Sequence, residues 1–290
     1  MAAKDPTKQP ITLLRSAFST LAGNPSILFP FACIAFIQFF LLELIFFTPR
    51  FPLNIFFGRI IVRLAGEAYL HYPFNFLLLT KWFQMIQIPL YILCNSFFLG
   101  AAVIIIALIN NEKTVHIKNI FRQALASYIH LFVAAGLSIA LMSGLSFGYT
   151  LLMQRAAIIR STSGIFYVLK RIVFDGAPYV NLLTAVFVTA IFAFVIPAIV
   201  LEKKKIFSAL RENFKMLGRS FFFIFVVILL PAILYVPILL IRSNNKIVAQ
   251  FVAPETWGWL IIVSVLVTLL IDAMQYTAIT IYYLVKKESK

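Results

Sequence analysis

One pattern occurs three times in this chain, as Leu14-Arg15-x-x-Phe18-x-x-Leu21, Phe121-Arg122-x-x-Leu125-x-x-Tyr128 and Leu210-Arg211-x-x-Phe214-x-x-Leu217. Each copy places apolar side chains at positions i, i+4 and i+7 with an arginine beside them, which is typical of an amphipathic helix lying in the membrane interface. A long apolar stretch follows each copy. The sequence therefore predicts three repeated units, each an amphipathic helix followed by a hairpin of two membrane-spanning helices, at about 11–109, 116–201 and 205–285.

The composition excludes a soluble domain. Apolar residues make up 62% of the 290 residues and charged residues only 12%, whereas soluble domains carry about 25% charged residues. A membrane span needs about 20 consecutive apolar residues. The predicted fold is an all-α polytopic membrane protein, a single membrane domain over 1–290, whose six spans are Ile27–Phe47, Phe83–Ile109, Leu131–Met153, Val180–Leu201, Phe221–Ile241 and Gly258–Val285.

The net charge of +15 points to anionic lipids. In a soluble protein it would suggest nucleic acid, but here the basic residues lie between spans, so lipid headgroups are the expected partner and nucleic acid is not. More lysines and arginines fall on the side that holds both termini, which predicts a multi-pass protein of a cell inner membrane with cytoplasmic termini. The expected anionic-lipid contacts are Lys203, Lys204, Lys205, Arg211, Lys215, Arg219, Arg15 and Arg122.

A polar stripe runs down the sixth predicted span. Ser264, Thr268, Asp272, Tyr276 and Thr280 recur every four residues, so they share one slowly winding helix face. Asp272 lies near the predicted bilayer centre, where a carboxylate costs roughly 2.5 kcal/mol or more unless it is protonated, paired or hydrated. We therefore expect it to face the bundle interior or a cavity.

The second predicted span carries a matching stripe of Gln84, Gln87, Tyr91 and Asn95. Asn95 and Asp272 have similar predicted depths, and Glu43 lies near the level of Gln87. The hypothesis is one polar cleft, open toward the outer leaflet, with an interhelical hydrogen-bond network that only fixes packing as the alternative. The residues expected to line the cleft are Asp272, Asn95, Glu43, Gln87, Tyr91, Thr268 and Tyr276.

The third predicted span carries a glycine ribbon, Gly136, Ala140, Gly144 and Gly148, at four-residue spacing. Small residues let another helix approach closely, so the ribbon fits an internal contact or a dimer equally well. The ribbon contains a Gly-x-Ser-x-Gly match at 144–148. A nucleophile elbow needs a strand before the serine and a helix after it, so a packing role is expected instead.

Other chemistry-bearing motifs are absent from the sequence. It has no phosphate-binding loop, no dinucleotide fingerprint, no His-Glu-x-x-His and no His/Cys/carboxylate set with metal-ligand spacing. We therefore expect no cofactor, no metal and no catalytic activity. The leading prediction is a non-enzymatic protein that binds lipid or assists a membrane process, with a protein partner or a second copy of the chain left open. The alternatives are a small secondary transporter using Asp272 and, more weakly, a lipid-modifying enzyme.

A family resemblance rests on one segment of about 20 residues. Pro197-Ala198-Ile199-Val200-Leu201-Glu202, followed by Ile206, Ala209, Leu210, Phe214 and Gly218, resembles a signature of bacterial six-span proteins similar to the membrane domain attached to some glycerophosphodiester phosphodiesterases. The resemblance implies the six-span layout. This sequence does not contain the soluble catalytic domain of those enzymes, so the resemblance carries over no catalytic residue.

Overall fold

The computed structural model describes residues 9–158, 164–218, 220–243, 253 and 255–288. Its described part contains helices and no β-strand, and six of the helical segments are long and apolar enough to cross a membrane. The predicted all-α class with six spans is confirmed. These spans are Pro25–Phe47, Phe74–Asn110, Tyr128–Ile158, Ala177–Glu202, Phe221–Ser243 and Thr256–Glu288, numbered 1 to 6 below.

Several spans consist of more than one helix. The helices in chain order are α1 Pro10–Gly23, α2 Leu28–Phe47, α3 Asn54–Ala65, α4 Phe74–Leu90, α5 Ser96–Asn110, α6 Ile117–Ala126, α7 Tyr128–Ile158, α8 Gly164–Asp175, α9 Ala177–Ile191, α10 Val195–Glu202, α11 Ile206–Leu217, α12 Phe221–Ala232, α13 Val236–Ser243 and α14 Thr256–Glu288. Span 2 joins α4 to α5, span 4 joins α9 to α10 and span 5 joins α12 to α13. Span 2 begins nine residues before its predicted start because polar residues such as Asn75 and Lys81 lower the hydropathy of its first turns.

The three repeated patterns form the short helices α1, α6 and α11, and each lies against the bundle. Their buried residues include Leu13 on α1, Ile120 on α6 and Ala209 on α11. The i+4 positions of the patterns point away from the bundle instead, with exposed fractions of 62%, 64% and 55% for Phe18, Leu125 and Phe214. At the first two positions of each pattern the buried residue is thus the one before the predicted apolar residue, whereas Leu21 and Leu217, the last residues of two patterns, are buried as predicted.

Spans 2 and 6 make many of the contacts between helices. In span 6, α14 packs against α1, α2, α5 and α12, and in span 2, α5 also packs against α10 and α7. Large apolar side chains such as Phe36, Phe147 and Phe222 face outward from spans 1, 3 and 5. This arrangement, with a packed interior and an apolar exterior, is that of a helical bundle in lipid.

The regular α-helical hydrogen-bond pattern is interrupted in span 2. Span 2 contains Pro89, and a π-helical turn follows at Tyr91–Asn95. Proline removes a helical hydrogen bond, and π-turns often occur at functional sites.

Span 4 breaks between α9 and α10. There the buried Asn213 of α11 accepts a hydrogen bond from the Phe194 N–H at 3.0 Å and donates one to the Ile191 carbonyl at 2.7 Å.

The glycine ribbon on span 3 has no partner helix in the described part of the chain. A Cβ atom built at Gly136, Gly144 or Gly148 would meet no described atom within 4 Å. The close helix approach occurs instead at Gly100 on α5, where a Cβ would lie 2.6 Å from a Leu131 methyl group. The ribbon is therefore not used for an internal contact between the described helices.

Candidate functional site

A polar cleft of about 260 Å³ lies between spans 1, 2, 5 and 6. The stripes predicted on spans 2 and 6 face each other across it. Asp272 is at the middle of α14, and the π-helical turn of span 2 ends at Asn95. Five of the seven residues expected in the cleft line it, namely Asp272, Asn95, Gln87, Tyr91 and Thr268.

The other two expected residues are placed differently. Tyr276 lies beside Tyr91, with which its hydroxyl interacts, but it lines the neighbouring cavity. Glu43 is exposed and is not part of the cleft wall, to which span 1 contributes Gln38. Five residues correspond to about 140° around a helix, so Gln38 and Glu43 lie on different faces. The prediction placed Glu43 in the cleft because it lies at a similar membrane depth to Gln87. Membrane depth does not determine which face of its helix a residue occupies.

Asn95 is the most unusual polar group in the cleft. Its side chain is 6% exposed, and its Oδ1 atom has no hydrogen-bond partner within the described structure. Most buried polar atoms are paired, and an orphaned one costs about 1–3 kcal/mol. The free acceptor is therefore available to a ligand group that donates a hydrogen bond or to a cation.

The sequence did not point to Arg242, which lies near the end of span 5 and lines the cleft. Its guanidinium donates hydrogen bonds to the Tyr235 hydroxyl at 3.2 Å and to Ser264 Oγ at 3.3 Å. Ser264 precedes Asp272 by two helical turns, about 12 Å along the axis. The cleft thus has a cationic group near one end and a carboxylate deeper in. In the sequence, Arg242 is one more basic residue after an apolar run, and only the packing of span 5 against span 6 turns it inward.

An apolar cavity of about 330 Å³ lies on the other side of span 2, between spans 2, 3, 4 and 6. Most of its wall is aliphatic, with Leu99, Ala135 and Val188 as representatives. The walls of the cavity and the cleft share three residues of span 2, which are Gln84, Gln87 and Tyr91.

Tyr91 and Tyr276 lie at the boundary between the cleft and the cavity. Their hydroxyl groups interact with each other, and the Asp272 carboxyl group lies near both of them. A polar compartment and an apolar compartment therefore lie next to each other inside the bundle. Such a pair suits a molecule with one polar and one apolar part.

Seven of the eight residues expected to contact anionic lipid are described, and they lie on the face of the bundle that carries α1, α6 and α11, called the amphipathic-helix face below. Lys204 differs from the others because it is half-buried and forms ion pairs with Glu202 at 2.6 Å and with Glu212. Arg219 lies outside the described residues. The exposed members are Arg15, Arg122, Lys203, Lys205, Arg211 and Lys215.

The described residues contain no group of three or more His, Cys, Asp or Glu side chains that could hold a metal ion. Cys33 and Cys94 are free thiols on spans 1 and 2. The cleft combines a carboxylate, an arginine, amides and hydroxyls, which can bind a polar group by hydrogen bonds and charge. Comparison with known protein families, with curated proteins and with solved structures found no match for this chain.

Proposed function

We propose that this chain is a non-enzymatic membrane protein that binds a lipid inside its helical bundle. The observation that carries the proposal is the shared wall of the polar cleft and the apolar cavity along span 2. The apolar part of the lipid would occupy the cavity. Its polar part would reach the cleft, where Arg242 and the orphaned Asn95 Oδ1 supply a donor and an acceptor.

We propose that the protein lies in a cell inner membrane with both termini in the cytoplasm. On this orientation the amphipathic-helix face meets the cytoplasmic leaflet, where its exposed basic residues are attracted to anionic headgroups by about 1 kcal/mol per side chain. The outward Phe18, Leu125 and Phe214 would enter the apolar layer beneath those headgroups. Equivalent positions of α1, α6 and α11 thus have the same exposure, which supports three repeated units.

The proposal is tested by native mass spectrometry of the protein released from lipid nanodiscs. Ala135 lines the cavity, so Ala135→Phe fills part of it, whereas Ala157 on the same helix is exposed and lies outside both the cavity and the glycine ribbon, so Ala157→Phe is the matched control. We expect a retained lipid in the unchanged protein and in Ala157→Phe, and its loss in Ala135→Phe. Equal lipid retention in all three proteins would contradict the proposal.

A second candidate function is a small secondary transporter, and the orphaned Asn95 Oδ1 at the end of the π-helical turn favours it. Interrupted helices at mid-membrane form substrate and ion sites in transporters. Asp272 in the same cleft would then bind a proton or a cation. This function predicts solute flux into liposomes that requires an ion gradient and is abolished by Asp272→Asn. Lipid retention without such flux favours the first proposal.

We also propose that the chain binds a partner protein or a second copy of itself. The glycine ribbon on span 3 faces outward and offers a surface for close helix contact. If a second copy binds there, Gly144→Leu will weaken dimers measured by single-molecule fluorescence in liposomes. An unchanged dimer fraction would exclude the ribbon as the contact.

A further inference from the structure

A third pocket, separate from the cleft and the cavity, opens on the amphipathic-helix face. This basic pocket has a volume of about 540 Å³ and lies between α6, the first turn of α7 and the turn that connects α10 to α11. It is lined by Asn119, Arg122, Gln123, Ala126, Ser127, His130, Lys203, Lys204 and Lys205, so none of the described residues in its wall is acidic.

The pocket is held together by specific contacts. Gln123 Nε2 donates a hydrogen bond to the Val200 carbonyl at 3.2 Å and so ties α6 to α10. Lys203, directly after α10, has a left-handed backbone with φ of 53°, and this turn brings three consecutive lysines to the pocket wall. The arrangement of these positive charges therefore depends on the packing of α6 on α10 and on the backbone turn between α10 and α11.

The charges in the pocket are not equivalent. Lys204 forms ion pairs with Glu202 and Glu212, which neutralise it. Arg122, Lys203 and Lys205 take part in no ion pair within the described residues, and His130 adds a ring nitrogen that can donate a hydrogen bond. Three uncompensated cations around one concave site, with amide and hydroxyl donors between them, are the groups that bind phosphate.

We propose that the basic pocket is a binding site for a phosphate group. The ligand is the phosphate of a lipid headgroup or of a small soluble anion, and Arg122, Lys203 and Lys205 recognise it in either case. A volume within the usual range of small-molecule sites accommodates more than one phosphate. The site lies apart from the intramembrane cleft, so it does not depend on what the cleft binds.

The test compares two double variants that each remove two positive charges from the same face. Arg122→Gln/Lys205→Gln changes the pocket wall, whereas Arg211→Gln/Lys215→Gln changes exposed residues of α11 outside that wall. In one arm, the protein in phosphatidylcholine nanodiscs is titrated with inorganic diphosphate and its melting temperature is followed. In the other arm, phosphatidic acid is added to the nanodiscs and its retention is measured by native mass spectrometry.

We expect the pocket variant to bind at least one of the two ligands about tenfold more weakly or worse, because two charge-assisted contacts are lost. The α11 variant should lose clearly less binding than the pocket variant in both arms, because Arg211 and Lys215 lie outside the pocket wall and contribute only to the general attraction of this face for anions. Response to diphosphate alone identifies a soluble ligand, and response to phosphatidic acid alone identifies a lipid headgroup.

Both variants alter exposed side chains, so folding should be retained, and Arg122→Lys/Lys205→Arg is added because it preserves the charges and should keep binding. Equal losses in the two glutamine variants would overturn the proposal in favour of diffuse surface charge. Binding of neither ligand by the unchanged protein would also overturn it.

Discussion

Replacement of Asn213 by alanine should destabilise the bundle more than its position on a short surface helix suggests. Asn213 belongs to α11, but its side chain is fully buried and satisfies two backbone groups of span 4. Its Oδ1 accepts from the Phe194 N–H, and its Nδ2 donates to the Ile191 carbonyl. These groups lose their helical partners where α9 ends and α10 begins. The asparagine side chain thus supplies the hydrogen bonds that a continuous helix would make at this point.

The magnitude follows from the two groups that the substitution leaves without a partner. An unsatisfied buried donor or acceptor costs about 1–3 kcal/mol, which gives an upper range of about 2–6 kcal/mol for both. Side-chain hydrogen bonds between membrane helices average about 0.6 kcal/mol, because the chain finds other partners when the contact is lost. A backbone break buried in packed protein has few such partners. We therefore expect a loss of about 2 kcal/mol or more.

The assay is unfolding of the protein in mixed micelles with increasing fractions of denaturing detergent. Asn181→Ala is the matched control because Asn181 lies on α9 of the same span and is exposed. Asn213→Asp keeps the acceptor for Phe194 but loses the donor to Ile191, so its stability should also fall. If Asn213→Ala changed the unfolding free energy no more than Asn181→Ala does, the role of Asn213 in the broken span would be refuted.

Three further substitutions, one of them with a matched control, test the packing and the charges in the same unfolding assay. Gly100→Ala should cost about 1–3 kcal/mol by crowding Leu131, whereas Gly144→Ala should be neutral or stabilising because nothing surrounds it; equal effects would contradict this packing. Lys203→Gly should stabilise the fold by about 1 kcal/mol, since glycine adopts the left-handed backbone without strain, and a loss of stability would argue against that turn. Glu202→Gln should cost about 1–3 kcal/mol and less at high salt, because it removes a half-buried ion-pair acceptor; a salt-independent cost would point to packing instead.

The sequence predicted the spans well because the bilayer imposes a simple rule. About 20 apolar residues in a row are needed to cross it, and all six predicted stretches lie in spanning helices. The inward faces of the short helices were predicted less well. On α1 the large Phe18 is exposed while the small Ala17 beside it is buried, although Leu21 is buried as predicted. In lipid, apolar side chains are stable on both faces of a helix, so hydropathy does not tell which face contacts protein.

The sequence predicted only part of the cleft. Asp272 and Asn95 are costly in lipid, so their inward position follows from the sequence. The orphaned Asn95 Oδ1 and the inward turn of Arg242 depend on a π-helical turn and on contacts between distant spans. Asn213 was missed because a polar residue on a basic surface helix usually faces water. Its burial becomes evident only when α11 packs on the break in span 4.

The most direct test of the proposed lipid site is photo-crosslinking with a lipid that carries a diazirine at the end of one acyl chain. The protein is reconstituted with this lipid and then diluted with unlabelled lipid before illumination, and the adducts are mapped by mass spectrometry. The proposal predicts adducts that survive dilution on cavity residues such as Leu99, Ala135 and Val188. Adducts confined to outward residues such as Phe147 and Phe222, and lost on dilution, would contradict it.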